Sequence, residues 1–319
     1  MKKNILLTLL ILIMVVGLAA CKKEPEPVEP VPPAPDVEEP VEEANEDEKE
    51  VIMEAFNTLI EGEKKPEELI SYINDNIKKL SSLEGDRMID ELEKTLENNI
   101  EDLTNLIFAT DKGDELMAIA GTETFFPENK VEEIKDEDLK KEIQKTFDNM
   151  YKLINLEGEF YPIIDYAKLK TYEDKLSDEW KSYLDIMAMD SEKRPFADGG
   201  MTITFEELAE RILETERHLN TYIDGPRQKE LLSLYESKLT AYMKGLPNTP
   251  IADYSNKQIF DQVLESYEKT SNNEGYITAH TLYQYVEVIK SNKSIVNNSV
   301  LKKADELITE AVRMLTEYK

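Results

Sequence analysis

The sequence predicts an all-α protein, with an N-terminal three-helix bundle followed by an irregular antiparallel array of helices. Apolar residues recur at three- and four-residue spacing over most of residues 51–318, which is the period of a helix with one buried face. Glycines and prolines fall in short clusters between these periodic stretches, where one helix ends and another begins. The repeated apolar strand runs of a two-lobed α/β protein are lacking.

Three helices make up the predicted bundle. An apolar stripe over residues 51–60 ends at Gly62, and Pro66 starts a second helix that runs to about residue 80, as proline favours the first helical turn. A third helix covers residues 86–108, with seven apolar residues along one face. The connections between the three are short, which predicts antiparallel packing.

A break in the periodicity divides the predicted helical region. Residues 111–129 contain two glycines and a proline, so we place a domain boundary there, between a helical bundle at residues 46–122 and a larger helical domain at residues 127–319. Seven helices are predicted beyond the break, near residues 131–156, 164–189, 205–223, 228–244, 256–271, 279–291 and 300–318.

The first 21 residues have the parts of a secretory signal. Two lysines precede an apolar run at residues 5–16, and small residues close it. The closing Leu-Ala-Ala-Cys resembles the lipobox of bacterial lipoproteins. That resemblance implies removal of a signal peptide, residues 1–20, and lipidation of Cys21. The alternative is an ordinary secretory signal that ends at Ala20.

Lipid on Cys21 predicts where the protein works. Two acyl chains together anchor a protein stably, whereas the apolar run is shorter than the about 20 residues that a membrane span needs. We therefore expect a lipid-anchored protein at the outer face of the cytoplasmic membrane. Cys21 is the only cysteine, so no disulfide is expected and the core alone must hold the fold.

A tether is predicted at residues 21–45, after the lipidation site. Twelve acidic residues and one lysine occupy residues 24–50, and seven prolines lie within residues 25–40. Such a segment buries too little apolar surface to offset its ordering entropy, and fully extended it would span roughly 70 Å. A proline-rich ligand for a partner domain is the alternative interpretation.

The charge balance disfavours two classes of partner. Without Lys2 and Lys3 the chain carries 36 basic and 67 acidic residues, so the formal net charge changes from −29 to −31. Binding of nucleic acid depends on lysine and arginine displacing counterions from phosphates, and anionic lipid surfaces attract basic patches. We expect neither nucleic acid nor flat lipid contact.

Two segments resemble calcium-binding EF-hand loops without their essential residues. Residues 196–207 place Phe196 at the first ligand position and Met201 at the sharp turn that needs glycine. We interpret Thr204 as the N-cap of the next helix instead. Residues 270–281 begin and end with threonine, and there we predict a helix with Thr278 as N-cap. No metal site is predicted.

Signatures of catalysis are also missing. His218 and His280 are the only histidines, and neither lies in an H-E-x-x-H pattern. Serine-nucleophile and P-loop patterns are absent. We therefore predict no catalytic residue and no cofactor, and we lean away from an enzyme. Carboxylates are abundant, so a cell-envelope hydrolase with two carboxylates across a cleft remains the alternative.

Aromatic residues with polar tips suggest one candidate ligand groove, formed by Tyr166, Trp180, Tyr183 and Asp198 in the loop at residues 195–200. Ordinary core packing is the competing interpretation of these rings. The wider stretch at residues 161–250 includes P-I-I-D-Y, R-P-F-A-D-G-G and L-P-N-T-P-I. With these it resembles uncharacterised lipoproteins of Gram-positive bacteria, which implies a Gram-positive source and no activity. The predicted function is noncatalytic binding or scaffolding at the cell envelope, with a peptide, a wall component or another protein as partner.

Overall fold

The computed structural model describes residues 44–62, 65–109, 112–223 and 225–317, and within them the chain is mostly helical with two small sheets. The predicted signal peptide, Cys21 and all but the last two residues of the predicted tether lie outside the described residues. A mainly α architecture is therefore confirmed for the part of the chain that the structure describes.

The three helices predicted for the bundle are present. They are α1 (Glu46–Glu61), α2 (Pro66–Asn76) and α3 (Ser82–Ala109). A capping box starts α1, because Asn45 Oδ1 accepts from the Glu48 N–H at 3.1 Å while the Glu48 carboxylate accepts from the Asn45 N–H at 3.3 Å. Pro66 stands at the start of α2, as predicted.

A hairpin replaces part of a predicted helix. After α4 (Gly113–Ala120) and α5 (Glu137–Asp148) come the strands β1 (Tyr151–Leu156) and β2 (Glu159–Ile164), which pair antiparallel. The prediction of one helix over residues 131–156 is therefore wrong at both ends.

The backbone around the hairpin explains why the helix stops. Met150 has a φ of 63°, which lies outside the right-handed helical region and ends α5. Glu157 and Gly158 have φ values of 55° and 95°, and positive φ at both positions of a two-residue loop matches the twist of paired strands.

The remaining elements are again mostly helical. They are α6 (Tyr166–Leu169), α7 (Asp178–Glu192), the strands β3 (Phe196–Ala197) and β4 (Gly200–Met201), α8 (Phe205–Thr221), α9 (Gln228–Lys244), α10 (Asp261–Ser271), α11 (Ile277–Ser291) and α12 (Asn298–Glu317). One helix was expected over residues 164–189, but a 3₁₀ turn at Lys170–Lys175 separates α6 from α7. The Ser177 side chain then caps α7 by accepting from the Trp180 N–H at 3.3 Å.

The two predicted caps have different outcomes. Thr204 caps α8, because its hydroxyl accepts from the Glu207 N–H at 3.1 Å. Thr278 does not cap α11. Instead the buried Glu216 of α8 accepts from the N–H groups of Ile277 at 2.5 Å and Thr278 at 2.8 Å. The cap comes from 61 residues earlier in the chain, so local spacing could not indicate it.

Two groups of buried apolar side chains form the core. The larger contains residues from α1 to α3 and from α6 to α12. The smaller contains eleven residues between Ile107 and Phe160, among them Ala120 and Phe126. The predicted domain boundary at residues 122–127 thus falls inside the smaller group, and the larger group joins helices from both sides of it.

Candidate functional site

The four residues of the predicted aromatic groove do not come together at the surface. Tyr166, Trp180 and Tyr183 expose only 7%, 3% and 2% of their surface, so their rings belong to the larger core. Asp198 is exposed in the turn between β3 and β4, where its φ is 46°. Core packing, the competing interpretation of the three rings, fits this placement.

Two of these aromatic side chains hold a buried carboxylate. The hydroxyls of Tyr166 and Tyr183 donate to Glu93 Oε1 at 2.7 and 2.5 Å. The other oxygen of Glu93 lies 2.8 Å from Nη2 of Arg227, whose Nε lies 3.2 Å from Asp90. Burial raises the pKa of Glu93 to about 7, against the opposing effects of the Arg227 charge and the tyrosine hydroxyls. This cluster connects α3, α6, α7 and the start of α9.

Glu93 has the perturbed pKa expected of a catalytic acid, but it is not accessible. None of its surface is exposed, and every partner just described is a protein side chain. A general acid must lie within hydrogen-bond reach of its substrate. The cluster is therefore a structural tie between helices.

A second buried charge cluster ties α7, α8 and α9 together. Asp190 of α7 lies 3.0 Å from Nη1 of Arg211 and 2.8 Å from Nζ of Lys238. The side chains of Arg211 and Lys238 are only 3% and 1% exposed. Desolvation lowers the pKa of Lys238, and the Asp190 charge opposes that shift.

Neither histidine forms a reactive site with the other. His218 is buried with its Nδ1 3.0 Å from the Ser182 hydroxyl, and burial lowers its pKa to about 4, so the ring is neutral at pH 7. His280 is exposed, and its Nε2 lies 2.7 Å from the Gln284 side-chain amide.

The surface feature with the most distinct chemistry is a groove between α3, α5 and the start of α2. It consists of two adjoining hollows of about 270 and 570 Å³ that share Asn99, Asp102 and Lys145. We call it the α3–α5 groove. Its other lining residues are Lys65, Pro66, Glu67, Thr95, Asn98, Leu103, Leu106, Glu142, Thr146, Asn149 and Tyr151.

Helix periodicity brings these residues to one surface. The α3 residues at positions 95, 98, 99, 102, 103 and 106 follow three- and four-residue spacing, which places them on one helix face. The α5 residues at positions 142, 145 and 146 do the same, and Asn149 follows directly after the end of α5. The hairpin after Met150 then brings the buried Tyr151 to the smaller hollow, where its hydroxyl donates to the Leu96 carbonyl at 2.9 Å.

Some polar groups of the groove are engaged and others are free. Glu67 lies 3.1 Å from Nζ of Lys145 and accepts from the Asn149 amide at 3.4 Å. Desolvation raises the pKa of Glu67, whereas a backbone hydrogen bond and the contacts with Lys145 and Asn149 lower it. The pKa is lowered overall. Within the described ranges, the side chains of Asn98, Asp102 and Glu142 have no hydrogen-bond or ion-pair partner. Their polar atoms are thus open to a ligand.

A third hollow, of about 640 Å³, lies between α11 and α12. Lys303 and Glu306, two of its charged lining residues, pair with each other at 2.9 Å. It lies along one helix pair, whereas the α3–α5 groove is bounded by three helices and the hairpin. We therefore take the α3–α5 groove as the candidate site.

Sequence reasoning missed this groove for a physical reason. In the sequence, the pattern around Asn98, Asn99 and Asp102 is typical of a solvent-exposed helix face. The other side of the groove is formed by α5, some 40 residues later in the chain. One signal was present: two adjacent asparagines stand in the interior of a 28-residue helix, although asparagine is a weak helix former.

Comparisons with protein-family models, with curated proteins and with solved structures give no significant match. In the part of the chain that the structure describes, no three or more histidine, cysteine, aspartate or glutamate side chains group in a way that could hold a metal ion. In that same part, every helix falls short of the length and apolar character that crossing a membrane requires.

Proposed function

We propose that the mature protein is a lipoprotein, anchored through Cys21 at the outer face of the cytoplasmic membrane of a Gram-positive bacterium, and that it binds a partner without catalysis. The lipobox-like ending of the signal and the acidic, proline-rich segment after it support the location. The helix α1 begins at Glu46, directly after the predicted tether, and α1 to α3 would be the predicted three-helix bundle.

The observation that carries the binding role is the set of unpartnered polar side chains in the α3–α5 groove. Asn98 and Asp102 are exposed on α3, a helix of 28 residues. Sites on helices hold their side chains more precisely than sites on loops. Amide and carboxylate groups on such a surface are suited to a peptide, a wall component or another envelope protein.

Two carboxylates in the groove support the hydrolase alternative. Asp102 of α3 and Glu142 of α5 line the same 270 Å³ hollow, and glycosidases use two facing carboxylates. Binding is nevertheless favoured, because a catalytic acid is usually a desolvated carboxyl with a raised pKa. Burial raises the pKa of four carboxyls in the described structure, and none of them lines the groove: Glu93, Asp86, Glu179 and Glu216.

Substituting the predicted lipidation site tests the location. Cys21→Ala should move the protein from the membrane fraction of its native cells to the culture medium, since the acyl chains are the proposed anchor. Immunoblots of both fractions measure this, and Lys23→Ala should stay with the membrane. Mass spectrometry that finds an unmodified thiol or an intact leader on the authentic protein would contradict the anchor.

A pull-down tests the binding role. Full-length protein with a C-terminal tag, purified from native membranes, should recover one stoichiometric partner. Asn98→Ala should reduce that recovery several-fold, because it removes one free hydrogen-bonding group from the groove. Asn105→Ala, on the same helix but outside the groove lining, is the matched control.

Two results would count against the binding role. Recovery of the same partner in equal amounts with Asn98→Ala would place its site elsewhere. Release of cut wall fragments by the purified wild-type protein would favour the hydrolase instead.

A further inference from the structure

The smaller hollow of the α3–α5 groove combines free negative charge with apolar lining residues. Asp102 and Glu142 line it without a partner among the described residues, whereas Lys145 is paired with Glu67. Leu103 and Leu106 also line it, and Leu106 is 44% exposed. The free charges are therefore acidic, and they adjoin accessible aliphatic surface.

This combination matches a long cationic side chain. Lysine and arginine lay their alkyl stems along apolar surface while the charged head stays near water. Hydrogen bonds from such a head to a carboxylate are about twice as strong as neutral ones. The hollow thus offers a place for the stem at Leu103 and Leu106 and a place for the head at Asp102 and Glu142.

The adjoining larger hollow adds amide groups. Asn98 and Asn99 line it, and Asn99 continues into the smaller hollow, where Asn149 also lies. A carboxamide carries both donors and an acceptor, as a peptide main chain does.

We propose that the α3–α5 groove binds an extended polypeptide segment of a partner and takes one of its lysine or arginine side chains in the smaller hollow. This inference rests on the proposed binding function and specifies its ligand. The side-chain amide of Asn98, which has no partner in the described structure, binds the main chain of the segment, and Asp102 and Glu142 bind the cationic head.

The charge of the whole protein agrees with this occupant. The formal net charge is −29 for the full sequence and −31 without Lys2 and Lys3. Such a charge attracts basic segments over a distance and repels acidic ones. The chain's own acidic tether, with twelve acidic residues and one lysine over residues 24–50, is therefore a poor occupant of the same groove.

Fluorescence anisotropy with labelled nonapeptides tests the proposal on the full-length protein in a nonionic detergent. The peptides share a glycine-serine frame and differ at two central residues, which are lysine, arginine, norleucine or glutamate. Lysine and arginine peptides should bind at least about tenfold more tightly than norleucine peptides, because norleucine lacks the charged head that donates a hydrogen bond to a carboxylate. The glutamate peptide should bind weakest.

Substitutions locate the contact. Asp102→Asn and Glu142→Gln should each weaken binding of the lysine peptide about tenfold and leave the norleucine peptide unchanged. Glu101→Gln removes the same charge from the neighbouring position of α3, outside the groove lining, and should change neither. Circular dichroism checks that each variant keeps its helical content.

Four results would overturn the proposal. They are equal binding of lysine and norleucine peptides, insensitivity to both substitutions, binding of free 1,5-diaminopentane as tight as that of the lysine peptide, and binding of wall glycan fragments in place of peptides. If any of these occurs while the pull-down still depends on Asn98, the ligand class is wrong and the binding function stands. If the pull-down also fails, both are wrong.

Discussion

Arg227→Ala is expected to lower the free energy of unfolding by about 3–5 kcal/mol, because removing one partner of a buried ion pair leaves the other charge buried and unpaired. Arg227 lies just before α9, and its side chain is only 6% exposed. It faces Glu93 at 2.8 Å and Asp90 at 3.2 Å, both on α3. Without it, Glu93 would keep its two tyrosine donors and lose its counter-ion.

Urea denaturation followed by far-UV circular dichroism measures this change. Arg194→Ala is the matched control. Its side chain is exposed and has no partner in the described structure, so its effect should stay within about 0.5 kcal/mol. Glu93→Gln in the Arg227→Ala background should recover part of the loss, since it removes the unpaired charge. Equal stability of Arg227→Ala and Arg194→Ala would show that the cluster contributes no net stability.

Asp190→Ala is expected to destabilise the protein by a similar amount, about 3–5 kcal/mol. Asp190 is the shared counter-ion of Arg211 at 3.0 Å and Lys238 at 2.8 Å. Its loss would leave the buried Lys238 of α9 without a counter-ion, while Arg211 of α8 would keep Glu207 at 2.6 Å. Thermal unfolding should then show a clear fall in the midpoint temperature.

The comparison for this prediction lies on the same helix. Asp185 is 54% exposed and pairs with Lys170 at 2.6 Å, and exposed pairs contribute only about 0–1 kcal/mol. Asp185→Ala should therefore change stability little. Adding Lys238→Met to Asp190→Ala should restore part of the loss, because it removes the buried cation that Asp190→Ala leaves unpaired. A double variant no more stable than Asp190→Ala would contradict this account.

Local sequence pattern predicted the regular helices well. The predicted helix at residues 228–244 matches α9 (Gln228–Lys244), and that at residues 205–223 ends two residues beyond α8 (Phe205–Thr221). Both have clear apolar periodicity and nearby breakers, and the Thr204 cap is also local. Such signals lie within a few residues, so a single sequence carries them.

The β1–β2 hairpin shows where local pattern fails. Its short apolar strands can also be read as helix by periodicity. Whether this segment forms strands or a helix depends on the positive φ of Met150, which ends the helix, and on the burial of Tyr151 and Phe160 in the core. Tertiary packing therefore overrode the local preference.

The location of the candidate site could not be predicted from the sequence for a similar reason. The sequence suggested a ligand groove at Tyr166, Trp180 and Tyr183. These rings are buried instead, and their burial depends on helices distant in sequence. The α3–α5 groove was missed because it is made by the approach of α3 and α5. Aromatic content alone does not distinguish a core from a ligand surface.

The sequence alone determined the helical character, the position of most helices, the acidic charge and the expectation of lipid on Cys21, because each follows from neighbouring residues or from composition. The tertiary structure decided which charges are buried, which residue caps α11 and where an accessible groove lies. Those features depend on contacts between residues far apart in the chain, and only the folded arrangement brings them together.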